Sequence, residues 1–347
     1  MTYSPKLSRL IFRSITPKIK RLVVLGIIAV VSVSYFLARN SSYGAAGKDI
    51  GKTSPLFILE QPMSNNYSAQ NPTIVTGFID IGKFIKGSVS RQLDTYLEWF
   101  KVWSKIRQPV VFYFDKKWIY TTFSRHRRGI PTKYIYVNMF QNEEHWSWKL
   151  LQKTKRIFAQ ENYPQHHPPT TNAHYSVIMH GKYEFLENAI DNNYFHSPYI
   201  MWLDIGLFRD YRANDCFKLK IPPNFNDSKI AFNKVKNFIG NKSSEWIIRN
   251  MPFWLCGCIL VGRVEVMKKF IRQYRLVRDV LMERNLTGDD QMILYSMFSD
   301  YTLGVSLNVD VQTYEDIYRN PSYVWFYLGY AMKSETPCVH LNHTSDV

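Results

Sequence analysis

The chain of 347 residues is 46% hydrophobic and 21% charged, a globular composition that excludes disordered, collagen-like, coiled-coil and polytopic membrane proteins. An excess of 44 Lys and Arg over 28 Asp and Glu gives a net charge of +16, a balance that invites a nucleic-acid partner. Four cysteines are too few for a disulfide scaffold, and they include no C-x-x-C pair of the structural zinc kind.

The first predicted element is a membrane anchor. Residues 22–38 form an uncharged apolar run of about the minimum length that spans a bilayer as a helix. Six basic residues and no acidic residue precede it, so the positive-inside rule places residues 1–21 in the cytosol and the rest of the chain in the lumen. A cleaved signal peptide is the alternative, but its apolar region is shorter, at about 7–15 residues. We expect a single-pass type II protein of the Golgi or ER membrane.

Glycosylation sequons agree with a luminal domain. Asn40 lies against the membrane and is expected to stay unmodified, whereas five further sequons are predicted glycosylation sites, at Asn66, Asn226, Asn241, Asn285 and Asn342. Without the cytosolic tail the net charge falls to about +10. A luminal domain does not meet nucleic acid, so the basic surface is expected to meet phosphate, a nucleotide-sugar or an acidic glycan.

The chain after the anchor divides into a stem and one domain. Residues 39–72 are rich in Ser, Asn, Gly and Pro and are predicted to form a stem, and residues 73–347 form the domain. Apolar runs predict strands at 73–80, 110–115, 134–137, 199–204 and 259–261. Helical spacing predicts helices over 93–106, capped by Ser88 or Ser90, and over 143–158, 174–191, 264–284 and 288–299. This alternation predicts an α/β fold with a mostly parallel sheet covered on both faces.

Three of the predicted strands end in an aspartate, namely Asp80, Asp115 and Asp204. Ligands of open α/β sheets bind beyond the carboxyl ends of the strands, so these side chains are candidates for one site. A single aspartate after a strand is more often a turn residue or a helix cap. Three at one edge favour a binding site.

The run Trp202-Leu203-Asp204-Ile205-Gly206 is the strongest motif. Its apolar strand delivers Asp204 to the edge of the sheet, and Gly206 allows a ligand to approach the backbone. A divalent cation on a diphosphate needs hard oxygen ligands, which makes Asp204 a predicted metal ligand. The structural alternative is a turn in which Asp204 binds backbone amides.

Three segments together resemble the HtrL/YibB family: TGFIDIG (76–82), NNYFHSPY (192–199) after Lys182, and WLDIGLFR (202–209). Asp290 and Gln291 also resemble the family pattern, and the resemblance covers roughly residues 73–310. It implies a glycosyltransferase-like protein with a GT-A-type nucleotide-sugar fold, of a kind associated in bacteria with surface-polysaccharide genes. Asp204 would occupy the position of an Asp-x-Asp motif whose second acid is replaced here by Gly206.

Charged side chains near this motif have candidate roles. Lys182 and Arg209 are predicted to neutralise a diphosphate leaving group; the alternatives are a solvated lysine and a surface ion pair. Asp290 is predicted to face the acceptor hydroxyl as a general base or as a stabiliser of oxocarbenium-like charge, with Gln291 as a hydrogen-bonding partner. The alternative is that the acid at 290 only caps the helix that follows.

Other candidates lie later in the chain. Gly257 would let a sugar or acceptor lie on bare backbone and Trp254 would stack on a sugar face, unless both belong to a bulged core strand. His340 is predicted to complete the shell of a metal held by Asp204, although a late histidine is more often structural. In an oxidising lumen we expect disulfides with three possible connectivities among Cys216, Cys256, Cys258 and Cys338.

The sequence therefore predicts a membrane-anchored luminal glycosyltransferase. It would move a sugar from a nucleotide-sugar to a glycan, lipid or protein hydroxyl, with Mn²⁺ or Mg²⁺ on the diphosphate. A catalytically silent glycan-binding or scaffolding protein with the same fold is the alternative, and Gly206 in place of a second acid favours it.

Overall fold

The computed structural model describes residues 71–318 and 323–338. The predicted anchor, nearly all of the stem and the candidates Asn40, Asn66, His340 and Asn342 lie outside these ranges. In the described residues, no helix combines the length and the apolar character needed to cross a membrane.

The described chain alternates strands and helices. The strands are β1 (Thr73–Phe78), β2 (Phe84–Lys86), β3 (Val89–Arg91), β4 (Val110–Phe114), β5 (Thr132–Tyr136), β6 (Tyr199–Leu203), β7 (Cys216–Leu219), β8 (Ile230–Lys234), β9 (Leu255–Arg263), β10 (Val311–Tyr314) and β11 (Lys333–Thr336). The α-helices are α1 (Leu93–Phe100), α2 (Lys117–His126), α3 (Trp146–Phe158), α4 (Ala173–Asn192), α5 (Ser244–Asn250), α6 (Val264–Glu283), α7 (Asp290–Ser299) and α8 (Tyr327–Met332).

Seven strands form a mixed sheet in the order β10-β8-β9-β6-β1-β4-β5. Strand β9 runs antiparallel to both of its neighbours, and every other neighbouring pair is parallel. This confirms the predicted α/β fold with a mostly parallel sheet. The sequence predicts the buried centre of β9 but not its direction. An apolar run that is buried on both faces does not indicate whether the neighbouring strands run parallel or antiparallel to it.

Successive residues of each central strand point to opposite faces of the sheet, and each face packs under its own layer of helices. Val75 of β1 belongs to the core that α3, α4, α6 and α7 cover, whereas its neighbour Ile74 belongs to the core beneath α1, α2 and α8. Burial on both faces explains why β1, β4 and β6 read as nearly continuous apolar runs.

The strand order reverses between β1 and β6. From β1 the chain moves outward to β4 and β5, and then returns to pair β6 with the other side of β1. In open α/β sheets, ligands bind in the crevice outside the carboxyl ends at such a switch point. The segments that leave β1 and β6 there carry Asp80 and Asp204.

A short hairpin of β2 and β3 precedes α1, and the sequence did not predict it. Its turn contains Gly87 at φ 62°, and each strand has only three residues, too few for a period of two to be recognised. The predicted caps Ser88 and Ser90 belong to this hairpin. That prediction was wrong, because α1 begins after Gln92 with no side-chain cap.

The buried guanidinium of Arg127 ties the end of α2 to the turns that lead into β4 and β5. It donates to the carbonyl oxygens of Gln108 (2.6 Å), Trp103 (3.1 Å) and Pro131 (3.1 Å), and also to that of Ile106. Buried carbonyl groups need such donors, because water cannot reach them.

We predict that Arg127→Met lowers the free energy of unfolding by about 3–5 kcal/mol, because three buried carbonyls and the partly buried carbonyl of Pro131 lose a charged donor. Thermal unfolding should show a melting temperature lower by roughly 10 °C. The control is Arg128→Met at the exposed neighbouring residue, which should leave the melting temperature unchanged. An equal effect of the two substitutions would contradict this role of Arg127.

Candidate functional site

A cavity of about 470 Å³ lies over the carboxyl ends of β1 and β6. It brings together most of the residues that the sequence singled out: Asp80, Lys182, Asp204, Gly206, Arg209, Gly257, Asp290 and Gln291. Its volume is within the usual range of small-molecule sites, about 300–1,000 Å³. The switch point of the sheet thus coincides with a pocket of ligand size.

Lys182 lies at the floor of this cavity and connects three parts of the chain. It projects from the middle of α4, whose N-terminus is capped by Asn172. Its ammonium donates to the carbonyl oxygen of Gly257 (2.9 Å) and to Oδ2 of Asp290 (3.1 Å), and it lies 3.4 Å from Oδ1 of Asp204. The side chain is only 2% exposed, so these acceptors replace its water.

The charges of Lys182 and its neighbouring aspartates shift one another's pKa values. Burial alone would lower the pKa of the Lys182 ammonium, but the attraction of Asp204 and Asp290 outweighs burial and raises that pKa above its ordinary value. Burial and the charge of Asp204 raise the pKa of the Asp290 carboxyl, although Lys182 opposes the shift. Burial and the charge of Asp290 likewise raise the pKa of Asp289 to about 6. Lys182 is therefore charged at neutral pH.

Asp204 and Asp290 differ in their access to a ligand. Asp204 is 33% exposed, and its Oδ1 accepts a hydrogen bond of 2.6 Å from Trp202 Nε1. Asp290 is 1% exposed, and its carboxylate lies against Gly257. The sequence predicted that Asp290 faces an acceptor, but the structure makes Asp204 the carboxylate that a bound molecule can touch. Lys182 is also committed to these two acids rather than free for a diphosphate.

The two glycines of the motifs make room for side chains of the protein. A Cβ at Gly206 would lie 2.4 Å from Cε3 of Trp99, and a Cβ at Gly257 would lie 2.2 Å from Oδ2 of Asp290. The close approach that each glycine permits is therefore that of an indole or a carboxylate, not only that of a ligand. An acidic side chain at position 206 would have no space beside Trp99.

The predicted divalent cation at Asp204 stays a prediction, and the described residues offer no ready-made group of ligands for it. Among them, no group of three or more His, Cys, Asp and Glu side chains converges as metal ligands do. The position between Asp204 and Asp290 is taken by the ammonium of Lys182. The predicted partner His340 lies outside the described ranges, so the pair of Asp204 and His340 stays a prediction.

Trp254 does not line the cavity, and the prediction that it stacks on a sugar is wrong. Its indole is 8% exposed and packs against Phe238 (4.4 Å between ring centroids), Phe298 (5.4 Å) and Tyr295 (6.1 Å). The core-strand alternative is the observed one. The aromatic side chains that line the cavity are others, namely Phe78, Tyr96, Trp99, Tyr175, Phe185, Trp202, Phe253, Trp325 and Phe326.

Asp115 lines a second cavity of about 260 Å³, beyond β4 and β5. Asp80 lines both cavities, and its backbone N–H donates to Oδ1 of Asp115 (3.1 Å). Burial raises the pKa of the Asp115 carboxyl to about 6, although this hydrogen bond opposes the shift. The three strand-end aspartates therefore share one edge of the sheet but two adjoining cavities.

The cysteines form two disulfides, Cys216–Cys338 and Cys256–Cys258, one of the three connectivities that the sequence left open. The second lies in β9, and both of its cysteines line the main cavity. The sequon residues Asn226, Asn241 and Asn285 are exposed, so each is accessible to a glycan.

Three residues of the cavity rim were missed from the sequence. Lys86 and Arg91 lie on the unpredicted hairpin and Trp99 on α1, and all three line the cavity. The sequence carried no clear signal for the two basic residues, because each strand of the hairpin has only three residues. Lys86, Arg91 and Trp99 reach the cavity because of how the chain folds, and no sequence motif marks them.

The fold and the site define an α/β protein with a buried Lys–Asp group beneath a pocket at the switch point of its sheet. The family model described as "Bacterial protein of unknown function (HtrL_YibB)" matches residues 70–319, well over half of the chain. The protein HtrL of Escherichia coli (strain K12) is 21% identical over 238 residues, which cover 64% of this chain and 81% of HtrL. This chain belongs to the HtrL/YibB family.

We predict that Lys182→Met lowers the free energy of unfolding by about 3–5 kcal/mol near neutral pH, because Asp290 remains buried without its cation. The variant raises the folded-state pKa of Asp290 further above the unfolded value. Between those values the folded state binds more protons, so stability falls as the pH rises. Urea unfolding should therefore show a smaller deficit at about pH 5 than at about pH 7.5.

The double variant Lys182→Met/Asp290→Asn supplies the control for this prediction. It removes both charges, so it should be more stable than the sum of the two single effects implies. Additive losses that do not depend on pH would contradict the coupling between Lys182 and Asp290.

We predict that Gly206→Ala destabilises the protein by about 1–3 kcal/mol, because the new methyl group overlaps the indole of Trp99. Thermal unfolding should show partial recovery in Gly206→Ala/Trp99→Leu, which removes the obstructing ring. Gly206→Asp should be destabilised at least as much and should not gain stability from Mn²⁺. A stable Gly206→Asp protein that binds Mn²⁺ would refute this account of the glycine.

Proposed function

We propose that the protein is a GT-A-type glycosyltransferase that moves a sugar from a nucleotide-sugar to a hydroxyl of a glycan, lipid or protein. One observation carries the proposal: a partly exposed carboxylate, Asp204, is held by Lys182 and Trp202 at the end of a central strand and faces a ligand-sized cavity. The site lies at the switch point, where nucleotide ligands of doubly wound sheets bind.

The lining of the cavity suits a sugar. Aromatic side chains such as Trp202, Phe253 and Trp325 line the cavity, and carboxylate and amide groups offer hydrogen bonds to hydroxyls. Gln291 also lines the cavity, and its buried Oε1 has no hydrogen-bond partner within the described part of the chain. Because a buried oxygen needs a hydrogen-bond donor, this Oε1 atom favours a ligand with a hydroxyl group that can donate to it.

In the proposed reaction, the acceptor oxygen forms a bond to the anomeric carbon as the bond from that carbon to the diphosphate breaks. Asp204 receives the proton of the acceptor hydroxyl as a general base; alternatively its charge stabilises the oxocarbenium-like transition state and the leaving diphosphate takes that proton. Lys182 fixes the orientation of Asp204 through the contact of 3.4 Å between its ammonium and Oδ1. Asp290 holds Lys182 in place from below and is a positioning residue.

The family resemblance supports a sugar-transfer role, and two further features fit the proposal. The exposed sequons at Asn226, Asn241 and Asn285 agree with our proposal that residues 1–21 are cytosolic, 22–38 span the membrane and the domain is luminal in the Golgi or ER. Gly206 had favoured a catalytically silent protein, but its contact with Trp99 gives the glycine a packing reason instead.

We predict that Asp204→Asn lowers the rate of sugar transfer, or of nucleotide-sugar hydrolysis where no acceptor is known, by about 10²–10⁴-fold. The assay is release of nucleoside diphosphate from a panel of nucleotide-sugars, with melting temperature measured in parallel. The melting temperature should stay close to that of the wild type, because Asn keeps the shape of the side chain.

Asp215→Asn is the matched control, because Asp215 is an exposed acid soon after the same strand and does not line the cavity. It should be fully active. An active Asp204→Asn protein would place the chemistry elsewhere. A large fall in its melting temperature would make Asp204 a structural turn residue.

A further inference from the structure

The rim of the main cavity carries three basic side chains, Lys86, Arg91 and Arg209, whose charges are poorly compensated. In the described part of the chain, Lys86 and Arg91 have no carboxylate within ion-pair distance; each lies over an aromatic ring instead. Arg209 has a long ion pair with Asp210 in the described part of the chain, with 3.8 Å between Nε and Oδ2. Among the described residues, the floor acids Asp289 and Asp290 act on Lys86, and Asp204 acts on Arg209, only through longer-range charge and without an ion pair.

The two arginines are held close together by a shared ring. The guanidinium of Arg91 lies 4.9 Å from the ring centroid of Trp99, and that of Arg209 lies 5.3 Å from it. Arg209 also lies 4.5 Å from the ring of Phe326. Burial lowers the pKa of Arg209, and the charge of Arg91 lowers it further, so the two cations are close enough to repel. An anion between them would remove this repulsion.

The hairpin adds Lys86 to the same side. Phe84 pairs with Arg91 and Lys86 pairs with Val89, so Lys86 and Arg91 point from one face of the hairpin. Both residues line the cavity, whereas Lys83, whose side chain is exposed, does not. The hairpin therefore presents two cations to the same cavity that Arg209 lines.

We propose that Lys86, Arg91 and Arg209 form a binding site for a phosphate or diphosphate group, and that this site works without a divalent cation. Two guanidinium forks match the geometry of phosphate oxygens, and a lysine adds a point charge. The proposal rests on the proposed function in one respect, namely that the diphosphate belongs to the nucleotide-sugar donor. It departs from the metal that the resemblance implies, because Lys182 already lies between Asp204 and Asp290.

The test measures binding of pyrophosphate, UDP, GDP and CDP to the full-length protein by isothermal titration calorimetry, in EDTA and again in Mn²⁺. We expect binding in EDTA that Mn²⁺ does not strengthen and that weakens as salt is added. Arg91→Gln and Lys86→Met should each weaken it by about 10- to 100-fold. Lys83→Met removes the same charge from the residue just before the hairpin, away from the cavity, and should bind like the wild type.

The outcomes separate this proposal from the proposed function. If pyrophosphate binds and Arg91→Gln weakens it, but no nucleotide binds more tightly than pyrophosphate, the anion site stands and the nucleotide-sugar donor is refuted. Binding that appears only with Mn²⁺ would overturn the metal-free site while leaving a transferase possible. Anion binding that Arg91→Gln and Lys86→Met leave unchanged, or no binding by the wild type, would overturn the site itself.

Discussion

The burial of one ammonium group constrains the whole site. A lysine removed from water needs acceptors for its charge, and here they come from the end of β6, the first residue of α7 and a carbonyl of β9. These elements must pack around α4, because otherwise the buried ammonium would lack acceptors and would destabilise the folded state. The same requirement fixes where Asp204 lies, because its carboxylate is both a partner of Lys182 and part of the cavity surface. Two glycines then follow as necessities, since larger residues at 206 and 257 would displace Trp99 or Asp290.

Much of the fold could be predicted from the sequence, and the reason is burial. Strands β1, β4 and β6 are covered on both faces, so they appear as apolar runs, and the long helices α4 and α6 begin and end within about a residue of their predicted limits. The β2–β3 hairpin, β7, β8 and β10 were missed because they are short and of mixed polarity. The antiparallel direction of β9 depends on strands far away in sequence, which no local pattern encodes.

The sequence predicted which motif residues come together in the site, but not how their side chains are arranged. Motif residues such as Asp204, Lys182 and Asp290 do meet in one cavity, although 108 positions separate Lys182 from Asp290. Which acid is exposed and which is buried depends on packing against Gly257, so the predicted roles of the two acids changed. The cations of the rim were not predicted, because Arg91 and Arg209 are brought together only by their shared contact with the ring of Trp99.

A crystal structure of the protein soaked with the nucleotide-sugar that it turns over or binds most tightly tests the central claim most directly. We predict that the sugar lies in the main cavity, with its anomeric carbon facing the exposed carboxylate of Asp204 and its diphosphate at Arg91 and Arg209. Asp290 should remain beneath, bound to Lys182. A nucleotide-sugar bound away from this cavity, or oriented with its anomeric carbon away from Asp204, would contradict the account.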